Sequence, residues 1–530
     1  MSLRQYLRSE PDSHNTVNIL PMTIPHAFQL AVQRHVAGQF AQAEEIYRQV
    51  LAMAPGYAEA HSNLGDVLRE QGRFDEAIAA CRRATELRPD DAEMHSNLGH
   101  ALWAGGRLDE AVAACRRAIQ LQPQFAEAYT NLGNALRDQG QLDEAIAAYR
   151  TTVQLRPDYA GACNNLGNAL RDQGHPQEAM AALRRATDLN PGFAEAHWNT
   201  SLLLLLSGDF ERGWPLYENR WSGSDLRTFE RSFTQPRWRG EPLQGQRVLV
   251  HAEQGLGDTL QFIRYAPLVA ERGGQVIVEC QPGLKALLTG LPGIAQVIER
   301  GEPWPAFDLQ IPMLSLPLAF GTRVKTIPAS VPYLRADAQK AARWRARLEQ
   351  DHEKADDLSK RHPLKVGLVW AGGEPSDRPQ QRAMNQRRSL RLSQLAPLAA
   401  VPGVIFVSLQ KGDPVAQAKT PPEGMRLLDW TDELADFSDT AALVENLDLV
   451  ISVDTAVAHL AGALGKPVWL LNRFDTCWRW LLGREDSPWY PTMRIFRQPR
   501  WMDWEPVIQS VAVELGRTVK ARATTASEKT

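Results

Sequence analysis

The segment SVDTAVAH, residues 452–459, places side chains where they could bind a phosphate-bearing ligand. Asp454 ends a predicted strand, Thr455 begins the helix that follows, and His459 lies about one turn into that helix. Because the unpaired N–H groups at a helix N-terminus attract anions, this helix start suits a diphosphate. Asp454 would repel phosphate, which favours a role as helix N-cap or as acceptor for a sugar hydroxyl. Lys411, after the predicted strand IFVSLQ, is a further candidate for a phosphate contact.

Short β-rich runs that alternate with helical stretches must position these residues. The predicted strands form two sets, which are RVLVHA, QVIVEC, AQVIE and FDLQIPM, and then KVGLVW, VIFVSLQ, LDLVISVD and PVWLL. This alternation predicts two open parallel sheets in tandem, with a cleft at the carboxyl ends of the strands. The loop EQGLGD at 253–258 follows the first strand, but it lacks the third glycine of a dinucleotide fingerprint and is a weak signal.

The first part of the chain is built from a repeat of a different kind. The ten residues NLGNALRDQG occur at 131–140 and again at 165–174, an offset of 34 residues. Glycines keep the same phase from Gly38 to Gly208, and prolines keep it from Pro55 to Pro191. Such a period predicts stacked helix pairs, each unable to bury its apolar face alone. The pattern resembles the tetratricopeptide repeat, with His, Tyr or Cys at the position where that repeat usually has Trp.

Asparagines recur on the first helix of each repeat, although asparagine is a poor residue for a helix interior. One interpretation is that their carboxamides line a concave groove and hold the backbone of an extended peptide. The other is that they bridge adjacent helices, and the two are compatible. The candidate groove residues are Asn63, Asn97, Asn131, Asn134, Asn165, Asn168 and Asn199.

Bulk properties exclude several classes of protein. The formal charge of −3 on 530 residues gives no general attraction to nucleic acid or anionic lipid. The five cysteines form no metal-ligand pattern and indicate reduced thiols in a cytoplasmic protein. Of these, Cys81 and Cys115 should occupy equivalent packing positions in neighbouring repeats. No apolar run is long enough to predict a transmembrane segment.

The second half resembles a known enzyme family. SVDTAVAH is similar to the Asp-Thr-Gly-x-x-His segment of the heptosyltransferase-type glycosyltransferases, glycosyltransferase family 9, with Ala456 in place of the family glycine. The GLGDTLQ loop looks like the family's Gly-Asp loop, which implies that Asp258 is the general base and that Gly257 approaches the donor. The basic segment NQRRSLRL matches the family's cationic position, which implies that Arg387 or Arg388 contacts the phosphates.

Each assignment has a structural alternative. Asp258, followed three residues later by Gln261, fits a capping box, so it could serve only as a helix cap. His459 could be a core histidine, and the arginines near 388 could be solvated. The Trp- and Arg-rich segment 474–504 suggests a loop over the cleft, whereas stacking on single-stranded nucleic acid is disfavoured by its prolines.

The predicted fold class is therefore a multidomain chain with an N-terminal all-α tetratricopeptide solenoid followed by an α/β, GT-B-type pair of Rossmann-like domains. The predicted boundaries are 1–23 disordered, 24–227 solenoid, 228–246 connector, 247–337 first Rossmann-like domain, 338–363 helix and linker, 364–519 second Rossmann-like domain with the nucleotide-sugar site, and 520–530 disordered.

The resemblance implies a cytoplasmic glycosyltransferase that uses a nucleotide-sugar as substrate and requires no cofactor or metal. We expect inverting, metal-independent transfer to Ser or Thr of a protein acceptor, such as flagellin or another cell-surface protein, with no nucleic-acid partner. One alternative is a repeat scaffold with an inactive transferase half, which Ala456 keeps open. A second alternative is transfer to a lipid or saccharide, with the repeats serving only assembly.

Overall fold

The computed structural model describes residues 22–222, 231–353, 363–373 and 379–527. Most of the segment 1–23 predicted to be disordered, and parts of the predicted connector, linker and basic segment, lie outside these ranges. The chain falls into two compact units, residues 1–169 and 170–530.

An N-terminal solenoid of helix pairs begins at Ile24, as the repeat pattern predicts. Its twelve helices are α1 (Ile24–Val36), α2 (Phe40–Met53), α3 (Ala58–Glu70), α4 (Phe74–Leu87), α5 (Ala92–Ala104), α6 (Leu108–Leu121), α7 (Ala126–Asp138), α8 (Leu142–Leu155), α9 (Ala160–Asp172), α10 (Pro176–Leu189), α11 (Ala194–Leu206) and α12 (Phe210–Tyr217).

Glycine fixes both the turns and the packing of the repeats. Gly38, Gly72 and their four in-phase counterparts end the turn within each helix pair with φ between 72° and 87°, a left-handed conformation that favours glycine. Gly65 and Gly99 lie inside helices, where an added Cβ would come within 2.4 Å of the sulfur atoms of Cys81 and Cys115. Both cysteines are free and buried, so their predicted equivalent packing is confirmed.

Histidine at the usual tryptophan position has a specific local role. The Nε2 atoms of His61, His95 and His197 lie 3.0, 2.8 and 2.9 Å from the carbonyl oxygens of the prolines six residues earlier. Because a carbonyl can only accept, each ring donates to the chain just after the preceding helix. The substitution therefore keeps an N–H donor that indole would also supply.

The first α/β region contains a four-stranded parallel sheet with strand order β3-β2-β1-β4. Its strands are β1 (Arg247–His251), β2 (Gln275–Cys280), β3 (Ile294–Glu299) and β4 (Leu309–Pro312). Its helices are α13 (Leu256–Phe262), α14 (Ala266–Glu271), α15 (Lys285–Leu288), α16 (Leu316–Ala319) and α17 (Ala338–Glu353).

The second region contains a six-stranded parallel sheet with order β10-β9-β8-β5-β6-β7. Its strands are β5 (Leu364–Val369), β6 (Val404–Ser408), β7 (Leu427–Leu428), β8 (Leu449–Val453), β9 (Val468–Asn472) and β10 (Met493–Arg497). Its helices are α18 (Pro379–Arg388), α19 (Ala396–Ala399), α20 (Phe437–Val444), α21 (Ala456–Ala463) and α22 (Glu505–Ser527).

The eight predicted strands are all present, and two differences lie at the C-terminal end. The Trp- and Arg-rich segment is not a single loop, because Met493–Arg497 pairs in parallel with β9 and buries Met493, Ile495 and Phe496. The last helix continues to Ser527, past the predicted start of disorder at residue 520. The sequence KARATTAS at 520–527 contains no Gly or Pro that would end the helix there.

The last helix of the solenoid belongs to the core of the second unit. On α12, Trp214 packs edge-on against Trp478 at 5.3 Å, and Tyr217 also contacts that ring. Arg220 follows in a 3-10 turn and is fully buried. Its Nε and Nη2 atoms donate to the carboxylate of Glu253 at 2.8 and 3.0 Å. The loop that follows β1 is thus tied to the end of the repeats.

Candidate functional site

The N-terminal ends of α13 and α21 meet between the two sheets. A Cβ added to Gly257 would lie 2.9 Å from Cδ2 of His459 and 3.5 Å from Cα of Ala456. Only glycine at 257 leaves room for this approach, because Cβ contacts under 3.0 Å force a neighbour to move. Two segments about 200 residues apart in the sequence are brought into contact in this way.

A cavity of about 860 Å³ opens beside this contact. Segments that follow β1, β5, β6, β8 and β9 line it, so it lies at the carboxyl ends of parallel strands in both sheets. This is the place where open α/β sheets bind ligands. The candidate residues that it brings together are Gly257, Asp258, Arg388, Lys411, Asp454, Thr455 and His459.

Asp258 is the third residue of α13 and is held by two partners. Its Oδ2 accepts from the backbone N–H of Gly255 at 2.9 Å, and its Oδ1 pairs with Nη2 of Arg479. The carboxylate therefore does cap α13, because it accepts from the backbone N–H of Gly255, the N-cap residue. Asp258 does this from the third helical position and is not itself the N-cap residue. Each carboxylate oxygen has a second lone-pair site, so capping does not use up its capacity to accept a proton.

Arg479 is the partner that the sequence did not single out. It lines the cavity, and its Nε donates to Oε1 of Gln261 at 2.9 Å while its Nη1 donates to the sulfur of Cys477 at 3.1 Å. Burial opposes its charge, but the Asp258 carboxylate raises its pKa above the usual range. It lies within a tryptophan-rich segment, and nothing in its spacing indicated a contact with residue 258.

The residues around the start of α21 adopt a well-defined arrangement. Thr455 is the N-cap residue, and its hydroxyl lies 3.0 Å from that of Ser452. His459 is buried, with Nδ1 2.9 Å from the Tyr490 hydroxyl and the ring stacked on Trp480. Burial lowers the pKa of His459 to about 4, although Asp454, 4.0 Å from Nε2, opposes the shift. The histidine is therefore neutral at pH 7.

The two predicted arginines of the basic segment have different positions. Arg388 lines the cavity, with Nη1 donating to the backbone oxygen of Asp454 at 3.2 Å and Nη2 to Oδ1 of Asn385 at 2.5 Å. Its guanidinium lies against Gly372, where a Cβ would come within 2.2 Å of Nε. Arg387 does not line the cavity, and instead pairs with Asp475 at 3.2 Å.

Lys411 lines the cavity but is engaged with the protein. Its Nζ donates to the backbone oxygens of Thr431 and Leu434 at 2.8 and 3.0 Å. The Lys411 ammonium therefore stabilises the loop before α20 through these two hydrogen bonds.

Arg473 is the second residue that sequence reasoning missed. It follows β9 directly, lines the cavity, and its side chain is 13% exposed. Its position just after the predicted strand PVWLL was the signal that could have identified it, because Lys411 was selected by the same rule.

The asparagines of the first unit bond between helices. The side-chain nitrogens of Asn97 and Asn131 donate to the hydroxyls of Ser62 and Ser96 on the preceding repeat, at 2.9 and 3.1 Å. Asn165 donates in the same direction to Oδ1 of Asn134 at 3.3 Å. These three and Asn63 are half-buried, whereas Asn168 and Asn199 are buried. The bridging interpretation thus describes the contacts of Asn97, Asn131 and Asn165, and a peptide-holding role stays a prediction.

The described residues show neither a metal-binding cluster nor a helix suited to crossing a membrane. No group of three or more His, Cys, Asp or Glu side chains within those ranges is arranged to hold a metal ion. Within the same ranges, no helix combines the length and apolar character that a membrane crossing requires.

Comparisons with family descriptions agree with this architecture. Residues 37–99, 102–136, 133–174 and 164–221 match tetratricopeptide repeats. Residues 434–471, which include the start of α21, match glycosyltransferase family 9 (heptosyltransferase). The helical repeats and the two parallel sheets confirm the predicted solenoid followed by α/β architecture.

Similar proteins are found for both the sequence and the structure. The chain is 30% identical over 341 residues to protein FlbA of Caulobacter vibrioides, an alignment that covers 59% of this chain and 53% of FlbA. The chain thus spans about half the length of this curated relative. Among solved structures, MamA is 28% identical with a TM-score of 0.27, covering 31% of this chain and 96% of MamA. A thermophilic repeat protein of Thermus thermophilus is 20% identical with a TM-score of 0.32, covering 34% of this chain and all of that protein.

Proposed function

Because the chain joins tetratricopeptide repeats to a segment of the glycosyltransferase family 9 type, we propose that it is a glycosyltransferase. It moves a sugar from a nucleotide-sugar donor to Ser or Thr of a protein acceptor. The two parallel sheets, at 247–337 and 364–519, form a GT-B pair in this proposal. The observation that carries it is the shared cavity, because Asp258 from one sheet and the N-terminus of α21 from the other line the same space.

The proposed chemistry is a direct displacement with inversion. Asp258 takes the proton of the acceptor hydroxyl as its oxygen forms a bond to the anomeric carbon of the sugar. The bond from that carbon to the donor phosphate oxygen breaks, and the nucleotide leaves with the electron pair. Arg479 and the Gly255 N–H fix the carboxylate in one orientation, which supports a base that must meet a bound hydroxyl at a set distance.

Charge that develops on the leaving phosphate is stabilised on the opposite side of the cavity. Arg388 supplies a fixed guanidinium next to the start of α21. The backbone N–H groups of Ala456 and Val457, in the first turn of α21, have no hydrogen-bond partner in the part of the chain that the structure describes. These groups would supply the electrostatic stabilisation without a metal ion.

The acceptor is proposed to be a polypeptide held by the repeats. Half-buried amides at a 34-residue spacing retain carboxamide oxygens that could pair with the N–H groups of an extended peptide. Flagellin or another cell-surface protein is the acceptor class that we propose, and the cytoplasm is the proposed place of transfer.

Nucleotide release tests the enzyme assignment. The full chain is incubated with a panel of nucleotide-sugars, and release of nucleoside mono- or diphosphate is measured together with the intact mass of co-expressed candidate acceptors. Asp258→Asn should lower turnover by about 10²- to 10⁴-fold, because the amide is not a base. Asp209→Asn is the matched control. Asp209 also accepts from a backbone N–H and an arginine, those of Arg212, but it does not line the cavity.

The scaffold alternative is supported by one observation, the close packing at the start of α21. Ala456 stands where the resembling family has glycine, and its Cα already lies near Gly257. This alternative predicts nucleotide binding without turnover with any donor. Turnover with a lipid or saccharide acceptor that is unaffected by changes in the asparagines would instead favour a transferase whose repeats serve only assembly.

A further inference from the structure

Arg473 differs from the other cations of the cavity in how its nitrogens are used. Arg479 and Lys411 donate to acceptors of the protein, and Arg388 donates through both terminal nitrogens. None of the guanidinium nitrogens of Arg473 makes a hydrogen bond within the described ranges. Its Nη1 is shielded from solvent and faces the Asp475 carboxylate, whereas Nε and Nη2 have no protein acceptor in those ranges. Because the side chain lines the cavity, these two donors are suited to an incoming acceptor.

Charges of both signs surround Arg473. Burial opposes its charge, but the carboxylates of Asp475, Asp454 and Asp172 raise its pKa, while Arg387 and Arg388 are the neighbouring cations. Its ion-pair partner is Asp475, whose Oδ2 lies 3.2 Å from Nη1. The same Oδ2 also lies 3.2 Å from Nη1 of Arg387, so one carboxylate is shared between two guanidinium groups. Burial lowers the pKa of Arg388 and the nearby charge of Arg473 adds to the effect, which indicates repulsion between two cations of one cavity wall.

We propose, on the basis of the proposed function, that Arg473 binds a phosphoryl group of the nucleotide-sugar together with Arg388. A guanidinium donates to a phosphate through two parallel N–H bonds, which an arginine with unused donors can do without giving up a protein contact. Arg387 then acts as a positioning residue, because it shares Asp475 with Arg473 rather than lining the cavity.

Calorimetric titration of the full chain tests this assignment. The probes are UDP, ADP, GDP, CMP and inorganic pyrophosphate, and the nucleoside of whichever nucleotide binds. Arg473→Gln should weaken phosphate-bearing probes about 10- to 100-fold, the value of one charge-assisted contact, and leave the nucleoside unchanged. The affinity of Arg473→Lys for these probes should lie between those of wild type and Arg473→Gln. Arg517→Gln is the control, because that side chain is 73% exposed on α22.

The outcomes separate the two proposals. Wild-type affinity for a nucleotide that Arg473→Gln leaves intact overturns the role of Arg473 but not the transferase. If wild type binds pyrophosphate but no nucleotide, the proposed transferase function is overturned. The role of Arg473 is then tested by comparing pyrophosphate binding in wild type and Arg473→Gln. No binding of any probe by wild type overturns both. If Arg473→Gln fails to fold, as judged by its thermal midpoint, Arg473→Lys decides, and unchanged binding by that variant also overturns the role.

Discussion

Replacing Arg220 with methionine should destabilise the unit of residues 170–530 severely. The Arg220 and Glu253 side chains are both fully buried and joined by two hydrogen bonds of 2.8 and 3.0 Å. Methionine keeps the volume of the stem but leaves the Glu253 charge without its partner. Removing one member of a buried ion pair costs about 3–5 kcal/mol, because the remaining charge stays away from water.

The expected shift in melting temperature follows from the size of the unit. With an unfolding entropy of about 2.1 cal/mol/K per residue over roughly 360 residues, a loss of 3–5 kcal/mol corresponds to about 4–7 °C. Scanning calorimetry of the full chain measures this shift. Arg212→Met is the control, because that side chain is 68% exposed and pairs with Asp209 near the surface.

A second variant distinguishes lost charge compensation from lost packing. Glu253→Gln removes the buried charge while its amide oxygen can still accept from the backbone N–H of Leu314, which donates to Glu253 at 3.1 Å. Combined with Arg220→Met, it should recover about 1–3 kcal/mol relative to the sum of the single changes. If Arg220→Met alone lowers the free energy of unfolding by less than about 1 kcal/mol, the reasoning is refuted, because a buried carboxylate without its partner should destabilise the fold by more than that.

Three further predictions address the site and the repeats. Gly257→Ala should lower stability by about 1–3 kcal/mol through overpacking, measured by urea denaturation, whereas Gly516→Ala, where an added Cβ meets nothing within 4 Å, should not. Burial lowers the pKa of folded-state His459 to about 4, so the neutral ring contributes stability above pH 6.5 that is lost as the pH falls. Between pH 8 and pH 5 the free energy of unfolding of wild type should therefore fall by about 2 kcal/mol more than that of His459→Gln. Equal decreases in the two proteins would contradict the lowered pKa. Asn131→Ala with Asn165→Ala should reduce modification of a protein acceptor while nucleotide affinity stays unchanged, and intact mass of the acceptor checks this.

The repeat was predictable because its signals are local. In-phase turn glycines require a left-handed conformation, and apolar residues at helical spacing define each helix pair, so one repeat determines the next. The strands were predictable for the same reason, since continuous apolar runs mark buried parallel strands. Strand β10 was missed because it is only five residues long, MRIFR, and lacks the continuous apolar run of the other strands within a segment rich in Trp and Pro.

The site was predictable only where it follows strand ends. Asp258, Asp454 and His459 line one cavity because each lies just beyond a strand or in the first turns of a helix that follows one, whereas Arg388 reaches the same cavity from the end of α18. The contact between Asp258 and Arg479 joins residues 221 positions apart, and no sequence period encodes such a pairing. The choice between Arg387 and Arg388 could not be made from the sequence either, because neighbours on a helix point in directions about 100° apart and only the packing shows that Arg388 lines the cavity.

The packing of α12 also limits how this protein could change its length. Trp214 and Tyr217 belong to the same hydrophobic core as Phe262 of α13, the helix that carries Asp258, so cutting the chain after residue 227 would remove part of that core along with the repeats. We expect a stable fragment that contains both sheets to need α12 and Arg220 at its start. We expect duplication or deletion of whole 34-residue modules to be tolerated better within residues 24–169, where helices contact mainly those of the same or the adjacent module.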